Sequence, residues 1–275
     1  MKKHRVIPGF GISLGITVTI VSLIVVIPLA SLAFSAAELG FGEFIETITR
    51  ERVLASFEVS LLCSFVAAAI NLVMGVMLAW VLTRYDFPLK RLLDGLIELP
   101  FALPTAIAGI TLTSLTSNNG WIGSFFARFG VNIAYTRTGI TIALIFVGIP
   151  FVVRSVQPVL EKLDLSCEEA ADMLGADRRT IFMRVIWPEI KPAALTGFSL
   201  AFARGLGEYG SVVFIAGNKP YSTEIVPLMI MSQLQEFDYA EATALAMVML
   251  VAAFILLMIM NVIQMRAGRL TRQGG

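Results

Sequence analysis

Five long stretches of this chain contain no Asp, Glu, Lys or Arg, and they constrain the fold more than any other feature. A helix that crosses the hydrocarbon core of a bilayer needs about 20 predominantly apolar residues in succession. The spans that these stretches indicate are roughly 9–34, 55–83, 97–117, 138–158 and 242–265. The sequence therefore predicts a chain that crosses a membrane several times.

A sixth apolar stretch, about 194–217, is interrupted only by Arg204 and Glu208. We interpret it as a further span with a buried charged site, which gives an all-α, polytopic membrane protein of six helices in a single domain, 1–275. Composition agrees, because 57% of the 275 residues are hydrophobic and 15% are charged, whereas soluble chains carry about 25% charged residues. A formal net charge of +1 also argues against a nucleic-acid-binding protein.

The basic residues indicate which side of the membrane each loop faces, since Lys and Arg are enriched in cytoplasmic loops. One side holds both termini and the second and fourth loops, with Lys2, Lys3, Arg5, Arg84, Lys90, Arg91, Arg154, Lys162, Arg178, Arg179, Arg184, Lys191, Arg266, Arg269 and Arg272. The other side has Arg50, Arg52, Arg128, Arg137 and Lys219. We therefore expect both termini in the cytoplasm. The first apolar run is about twice the length of the core of a secretory signal, so we expect a retained span.

The loop between the fourth and fifth predicted spans, about 159–192, holds most of the remaining signals. Ser166 and Glu169 have the spacing of a capping box, so a helix should begin there. Gly175 is suited to the left-handed conformation that ends many helices. Asp177 can then cap a second helix.

Two prolines, Pro188 and Pro192, should end this second helix before span five. The pattern thus predicts two short helices joined by a glycine elbow. They form either a solvated hairpin that only connects two spans, or a docking element. For docking, the small Ala170 and Ala171 would let the first helix sit deep in a partner's cleft, and charged neighbours such as Asp172 would fix its orientation.

The segments Glu169-Ala170-Ala171, Gly175 and Ile186-Trp187-Pro188 resemble the EAA loop of permease subunits from bacterial ABC importers. Trp187 stands where that family usually has Leu. The resemblance implies the type I importer permease fold, in which this loop is the coupling helix that docks onto the ATP-binding subunit. The coupling residues that it implies are Glu169, Ala170, Ala171, Asp172, Gly175 and Pro188.

Further segments are similar to sulfate/thiosulfate permeases of the CysT type. They are 82–88, 98–109, 150–158, 205–210 and 234–239. Molybdate permeases share several of these motifs but are typically shorter chains, so the resemblance favours sulfate over molybdate or tungstate. It implies a multi-pass protein of the bacterial inner membrane that moves its anion by alternating access.

The same resemblance implies the partners. They are two ABC ATPase subunits, a second homologous permease subunit in a heterodimer, an extracytoplasmic sulfate- or thiosulfate-binding protein, and membrane lipid, with no nucleic acid. The chain has no Gly-Lys dipeptide and hence no Walker A phosphate loop. We therefore expect no catalytic residue and no cofactor in this chain, with ATP and Mg²⁺ bound by the partner ATPase.

Two features inside the predicted spans are candidates for the translocation pathway. Arg204 and Glu208 are four residues apart, which puts both on one face of a helix. Charges at membrane depth are costly unless they face the protein interior and pair. Arg204 could therefore contact a tetrahedral oxyanion, or the pair could serve helix packing alone. Pro100 and Pro104 should kink span three, with Thr105 available to satisfy a freed carbonyl, and the kink could line the path or serve packing.

Two other classes of membrane protein compete with an ABC permease. A secondary anion transporter or channel would predict inverted repeats with matching broken helices, and none is evident in the sequence. An intramembrane enzyme would need paired catalytic groups at membrane depth, and only Arg204 and Glu208 lie there. One His and two Cys leave little for a metal site, so we expect none.

Overall fold

The computed structural model describes residues 10–272, and the side chains of residues 10–265. Within that part of the chain every regular element is an α-helix or a π-helical turn. Lys2, Lys3 and Arg5, which entered the topology argument, lie outside the described residues, as does the first residue of the predicted span 9–34.

Four helices are long and apolar enough to cross a membrane. The first joins α1 (Phe10–Val21) and α2 (Ile27–Glu38) through a π-helical turn, and the others are α4 (Glu51–Arg84), α8 (Arg137–Lys162) and α14 (Tyr239–Arg272). They confirm the first, second, fourth and sixth predicted spans. Their ends differ from the predicted ones by a few residues, mainly because the helices continue into charged flanking sequence.

The third predicted span is broken rather than kinked. It consists of α5 (Lys90–Ala102) and α6 (Thr105–Thr116), whose axes differ by 112°. Leu103 separates them in an extended conformation, which is the conformation that a following proline favours. Pro104 therefore causes the break, whereas Pro100 lies inside α5, and the span begins at Lys90 rather than near residue 97.

The fifth predicted span, 194–217, is wrong at both ends. The helix here is α11 (Trp187–Leu206), and it carries three charged residues, Glu189, Lys191 and Arg204. By length and composition the described residues provide four spans, or five if α5 and α6 count as one. The six-span count stays a prediction.

The prediction that Pro188 and Pro192 end a helix is also wrong. The helix α10 (Arg178–Ile181) continues through a π-helical turn (Phe182–Ile186) into α11 without a break. In the π-helical turn the N–H of Trp187 bonds the carbonyl of Phe182, five residues back. Such widening accommodates a proline, which has no N–H to donate and would crowd the carbonyl four residues earlier.

The remaining helices are short. They are α3 (Phe41–Thr49), α7 (Trp121–Ala127), α9 (Leu165–Met173), α12 (Val212–Ile215) and α13 (Val226–Gln235). The predicted loop 159–192 is thus almost wholly helical, because α8 extends to Lys162 and α9, α10 and α11 fill most of the rest.

Three helices, α4, α8 and α11, form the core of the bundle. Val152 of α8 is fully buried between the other two. A Cβ atom on Gly75 of α4 would stand 2.7 Å from its Cβ, and one on Gly197 of α11 would stand 2.6 Å from its Cα. Small residues at these crossings let the helix backbones approach closely, as is typical of helices packed in a membrane.

Candidate functional sites

The helix α9 begins at Leu165 and is capped by Asp164, whose Oδ1 accepts the backbone N–H of Ser166 at 3.0 Å. The predicted cap, Ser166, is therefore wrong by two residues. Asp164 is the cap because its carboxylate accepts a free backbone N–H of the first turn. Hydrogen bonds from the Ser166 backbone and then its side chain lower the pKa of Asp164.

The end of α9 confirms the predicted glycine elbow. Gly175 has a φ of +81°. Its N–H bonds the carbonyl of Asp172 at 2.8 Å, and the N–H of Ala176 bonds the carbonyl of Ala171 at 3.1 Å. This pair of bonds is the Schellman arrangement, in which a left-handed residue turns the chain off the helix end.

Asp177 begins the next helix, as predicted. Its Oδ1 accepts the N–H of Thr180 at 3.1 Å. Hydrogen bonding from the side chain of Thr180, followed by its backbone, lowers the pKa of Asp177. Elbow and cap together fix the direction in which α10 leaves the elbow, so α9 is held at a defined angle rather than on a loose loop.

The outer surface of the elbow is exposed and partly apolar. Met173 and Leu174 are 89% and 88% exposed, although both are large hydrophobic side chains. Glu169, Ala170 and Asp172 are exposed beside them. Sequence reasoning missed Met173 and Leu174. Two adjacent apolar residues beside a predicted left-handed glycine were the available signal.

The predicted coupling residues are therefore only partly brought together. Glu169, Ala170, Asp172 and Gly175 lie on one exposed elbow, while Ala171 is half-buried on its inner side. Pro188 lies apart from them, near the start of α11 beyond the π-helical turn.

The predicted charge pair exists, but it does not lie on one helix. Arg204 is in the last turn of α11, whereas Glu208 follows the helix end at Gly207. Nη1 of Arg204 is 2.5 Å from Oε2 of Glu208, and the side chains are 36% and 1% exposed. Local unwinding in this glycine-rich segment lets Glu208 turn inward.

The second oxygen of the Glu208 carboxylate is also used. Oε1 accepts both the backbone N–H and the hydroxyl of Ser211 at 2.8 Å each. Every acceptor of this buried carboxylate therefore faces a donor, which is what burial of a charge requires. Glu208 is a fixed structural anchor, and the guanidinium of Arg204 is the partly exposed member of the pair.

The break in span three lies against this unwound segment. Thr105, the first residue of α6, contacts Gly210, and one turn further a Cβ atom on Gly109 would stand 2.5 Å from the backbone oxygen of Ser211. The structure thus brings Pro104 and Thr105 next to the Glu208 segment, while Pro100 is buried on α5. No side-chain hydrogen bond joins Thr105 to a carbonyl within residues 10–272, in contrast to the predicted role.

Three ion pairs near the start of α4, at the end of that helix opposite to Arg84, were missed by sequence reasoning. Their partners are Arg50 with Glu241, Arg52 with Glu224, and Arg137 with Glu58, at 2.7, 2.6 and 3.1 Å. The charges flank predicted spans, but their pairing over such sequence distances depends on the tertiary fold. They tie the start of α4 to α8, to α14 and to the loop before α13.

Comparisons with known proteins agree with this architecture. Residues 71–272 match the family described as "Binding-protein-dependent transport system inner membrane component". The "Sulfate transport system permease protein CysT" of Escherichia coli (strain K12) is 49% identical over 269 residues, which cover 98% of this chain and 97% of that protein. The protein of the same name from Synechococcus elongatus is 46% identical over 243 residues, covering 88% and 87%.

Solved structures show the same fold at low sequence identity. A bacterial ABC transporter "involved in the import of the acidic polysaccharide alginate" superposes with a TM-score of 0.77 at 18% identity, covering 94% of this chain and 95% of that one. The "MetNI methionine ABC transporter" superposes with a TM-score of 0.59 at 16% identity, covering 79% and 97%.

The type I ABC importer permease fold, the family match over most of the chain and the high identity to its relatives lead to one assignment. Such permeases are non-catalytic, and the ATPase is a separate subunit. The chain belongs to the family of inner membrane components of binding-protein-dependent transport systems, as a multi-pass, CysT-type ABC permease.

Proposed function

We propose that this chain is the membrane-spanning subunit of an ATP-driven importer of sulfate and thiosulfate. Relatives named as sulfate transport system permeases match this chain over 97% and 87% of their own length. The anion would cross by alternating access, with conformational change driven by two separate ATPase subunits. ATP and Mg²⁺ would be bound by those subunits.

The observation that carries the proposal is the exposed elbow of α9. Met173 and Leu174 leave two large apolar side chains in solvent, which marks an interaction surface when charged residues surround it. Gly175 and the Asp177 cap hold that surface at a fixed angle. A partner could therefore bind a preorganised helix end without the cost of ordering it. We assign ATPase docking to residues 169–175. Pro188 would contribute only indirectly, through the path of α11.

We assign Arg204 to the anion pathway. Its guanidinium presents a fork of N–H donors that matches the oxygens of a tetrahedral oxyanion. The buried carboxylate of Glu208 fixes it at one edge, and a third of the side chain remains exposed. Thr105 and Pro104 lie against the same unwound segment, so relative movement of the two broken spans would alter the surroundings of Arg204. Pro100 would act only by shaping α5.

The remaining assignments concern the assembly. The elbow lies on the side where basic residues prevail, so both termini would face the cytoplasm. The opposite face would receive an extracytoplasmic sulfate-binding protein. A second, homologous permease subunit would complete the pathway, and the single domain 1–275 would be one half of it.

The decisive test is reconstitution in liposomes with its ATPase, the second permease and the sulfate-binding protein. The proposal predicts uptake of labelled sulfate that requires ATP on the side of the elbow and is inhibited by thiosulfate more strongly than by molybdate. Uptake by this chain alone without ATP would assign it to the secondary transporters. Preference for molybdate would refute the substrate while retaining the class.

A further inference from the structure

The helix α9 lies at the edge of the structure. Its main backbone neighbours are α10 and the π-helical turn, which follow it directly in the chain. No residue of α9 is fully buried. Two of its residues, Glu168 and Ala171, are half-buried, and they are three apart, so they form its inner face.

Glu168 connects this inner face to a distant part of the chain. Its Oε1 pairs with Nη2 of Arg84, 84 residues earlier and the last residue of α4. The side chains of Arg84 and Glu168 are 14% and 21% exposed. Partial burial weakens screening by solvent, so the pair is stronger than one on an open surface.

Aromatic side chains hold the arginine in place. The guanidinium carbon of Arg84 lies 5.4 Å from the ring centroid of Trp80, one turn earlier on α4. The Trp80 ring meets Phe182 of the π-helical turn edge-on at 5.7 Å. Stacking on an aromatic face restricts the guanidinium and adds cation–π attraction.

A cleft of about 430 Å³ separates the elbow from the end of α4. Trp80 and Phe182 line it, and α9 contributes Leu165, Glu168, Glu169 and Asp172. Space therefore remains between α9 and Trp80 of α4, and Glu168 of the ion pair lies on its wall. Within the described part of the chain, the pair of charges is a direct hydrogen-bonded contact between α9 and α4.

We propose that the Arg84–Glu168 pair is a direct non-covalent link between the docking helix α9 and the membrane helix α4, with Arg84 as a positioning residue. The inference rests on the proposed function. The covalent connections of α9 lead to α8 through Leu163 and Asp164, and through the elbow into α10 and α11. The ion pair leads directly to α4, which packs on both α8 and α11. The pair would pass movement of α9 directly to α4, rather than only through the helices that pack on α4.

Loss of the pair should leave docking intact and reduce coupling. Met173 and Leu174 do not line the cleft and are 89% and 88% exposed, so an ATPase would still bind them. Without the ion pair, a displacement of α9 would move the end of α4 less. ATP would then be hydrolysed with fewer anions moved for each ATP.

The test uses the complete transporter in liposomes and measures the ratio of sulfate transported to ATP hydrolysed. The variants are Arg84→Glu, Glu168→Arg and the double exchange, with Arg84→Lys as the conservative variant. Exchange of Asp86 and Lys90, an exposed ion pair 2.9 Å apart beside the same helix end, is the matched control. Co-purification of the ATPase monitors docking in every variant.

We expect each single reversal to lower the ratio about fivefold, within the range of energetic coupling measured for contacting pairs. The double exchange should restore it to within about twofold, and Arg84→Lys should retain part of it. An unchanged ratio in the single variants would overturn the inference, as would equal loss in the double exchange. Loss of ATPase binding would reassign the pair to docking. Absence of ATP-dependent uptake in the wild-type complex would instead refute the proposed function.

Discussion

Thr105 and Gly210 touch so closely that a Cβ atom on the glycine would stand 2.1 Å from the threonine Oγ1. These two residues belong to the two places where a predicted span is interrupted, after Leu103 in one case and after Leu206 in the other. The two breaks are therefore adjacent in the fold. A rearrangement at one of them must displace the other, because packed interiors have little free space.

Replacement of Gly210 by Ala should push the segment after α11 away from Thr105 at the start of α6. Overpacking of this kind costs about 1–3 kcal/mol, and sulfate uptake should fall more than ATPase co-purification. Gly207→Ala is the matched control, since nothing lies within 4 Å of a Cβ atom there. Thermal unfolding and uptake assays would check both. Equal effects of the two alanines would contradict a specific contact, and Thr105→Ala should partly rescue Gly210→Ala.

Removal of the Arg204 side chain should abolish most transport without loss of assembly. In Arg204→Ala we expect sulfate uptake and sulfate-stimulated ATP hydrolysis to fall about tenfold or more, as for other paired charges. Glu208→Gln retains an acceptor for Ser211 and should affect uptake less than Glu208→Ala. Normal uptake in Arg204→Ala at normal expression would leave the pair a packing role only.

The left-handed Gly175 should tolerate Asn but not Ala. Open space surrounds the position, so the cost of Ala is conformational, about 1–2 kcal/mol. Asn adopts this conformation more readily. We expect reduced ATPase co-purification with Gly175→Ala and nearly normal co-purification with Gly175→Asn. Failure of both, or of neither, would show that the conformation of the elbow does not govern docking.

The helix caps Asp164 of α9 and Asp177 of α10 should keep their hydrogen bonds in moderate acid. Both carboxyls have a pKa below the ordinary 3.8, so their stabilisation is complete above that pH and is lost as pH falls through the lowered values. Hydrogen-exchange protection of the Ser166 and Thr180 amides should therefore be constant between about pH 8 and 5. Asp177→Ala should lower protection at Thr180 severalfold, whereas Asp177→Asn should retain it. A midpoint near pH 6 would contradict this assignment.

Local signals predicted the elbow well. Gly175 and Asp177 act through hydrogen bonds to residues within five positions, so their roles can be inferred from the nearby sequence. The long charge-free stretches likewise identified four continuous spans. Ser166 was mistaken for the cap because Asp164, two residues earlier, is an equally suitable cap in sequence terms.

Tertiary interactions account for what the sequence could not predict. The end of α11 at Leu206 depends on Glu208 turning inward to Ser211, which only a packed bundle makes favourable. The continuity of helix through Pro188 depends on a π-helical turn for which no sequence rule was available. Arg84 and Glu168 are 84 positions apart and carry no mutual signal in the sequence.

ATP hydrolysis by a separate subunit, docked on the α9 elbow, should drive sulfate through this chain. Sulfate uptake should be measured in liposomes that contain the complete transporter, with the wild-type elbow and with Met173→Glu/Leu174→Glu. We predict ATP-dependent uptake for the wild type, and loss of both ATPase co-purification and uptake for the variant. Full ATP-driven uptake by the variant, with its ATPase still bound, would contradict the account.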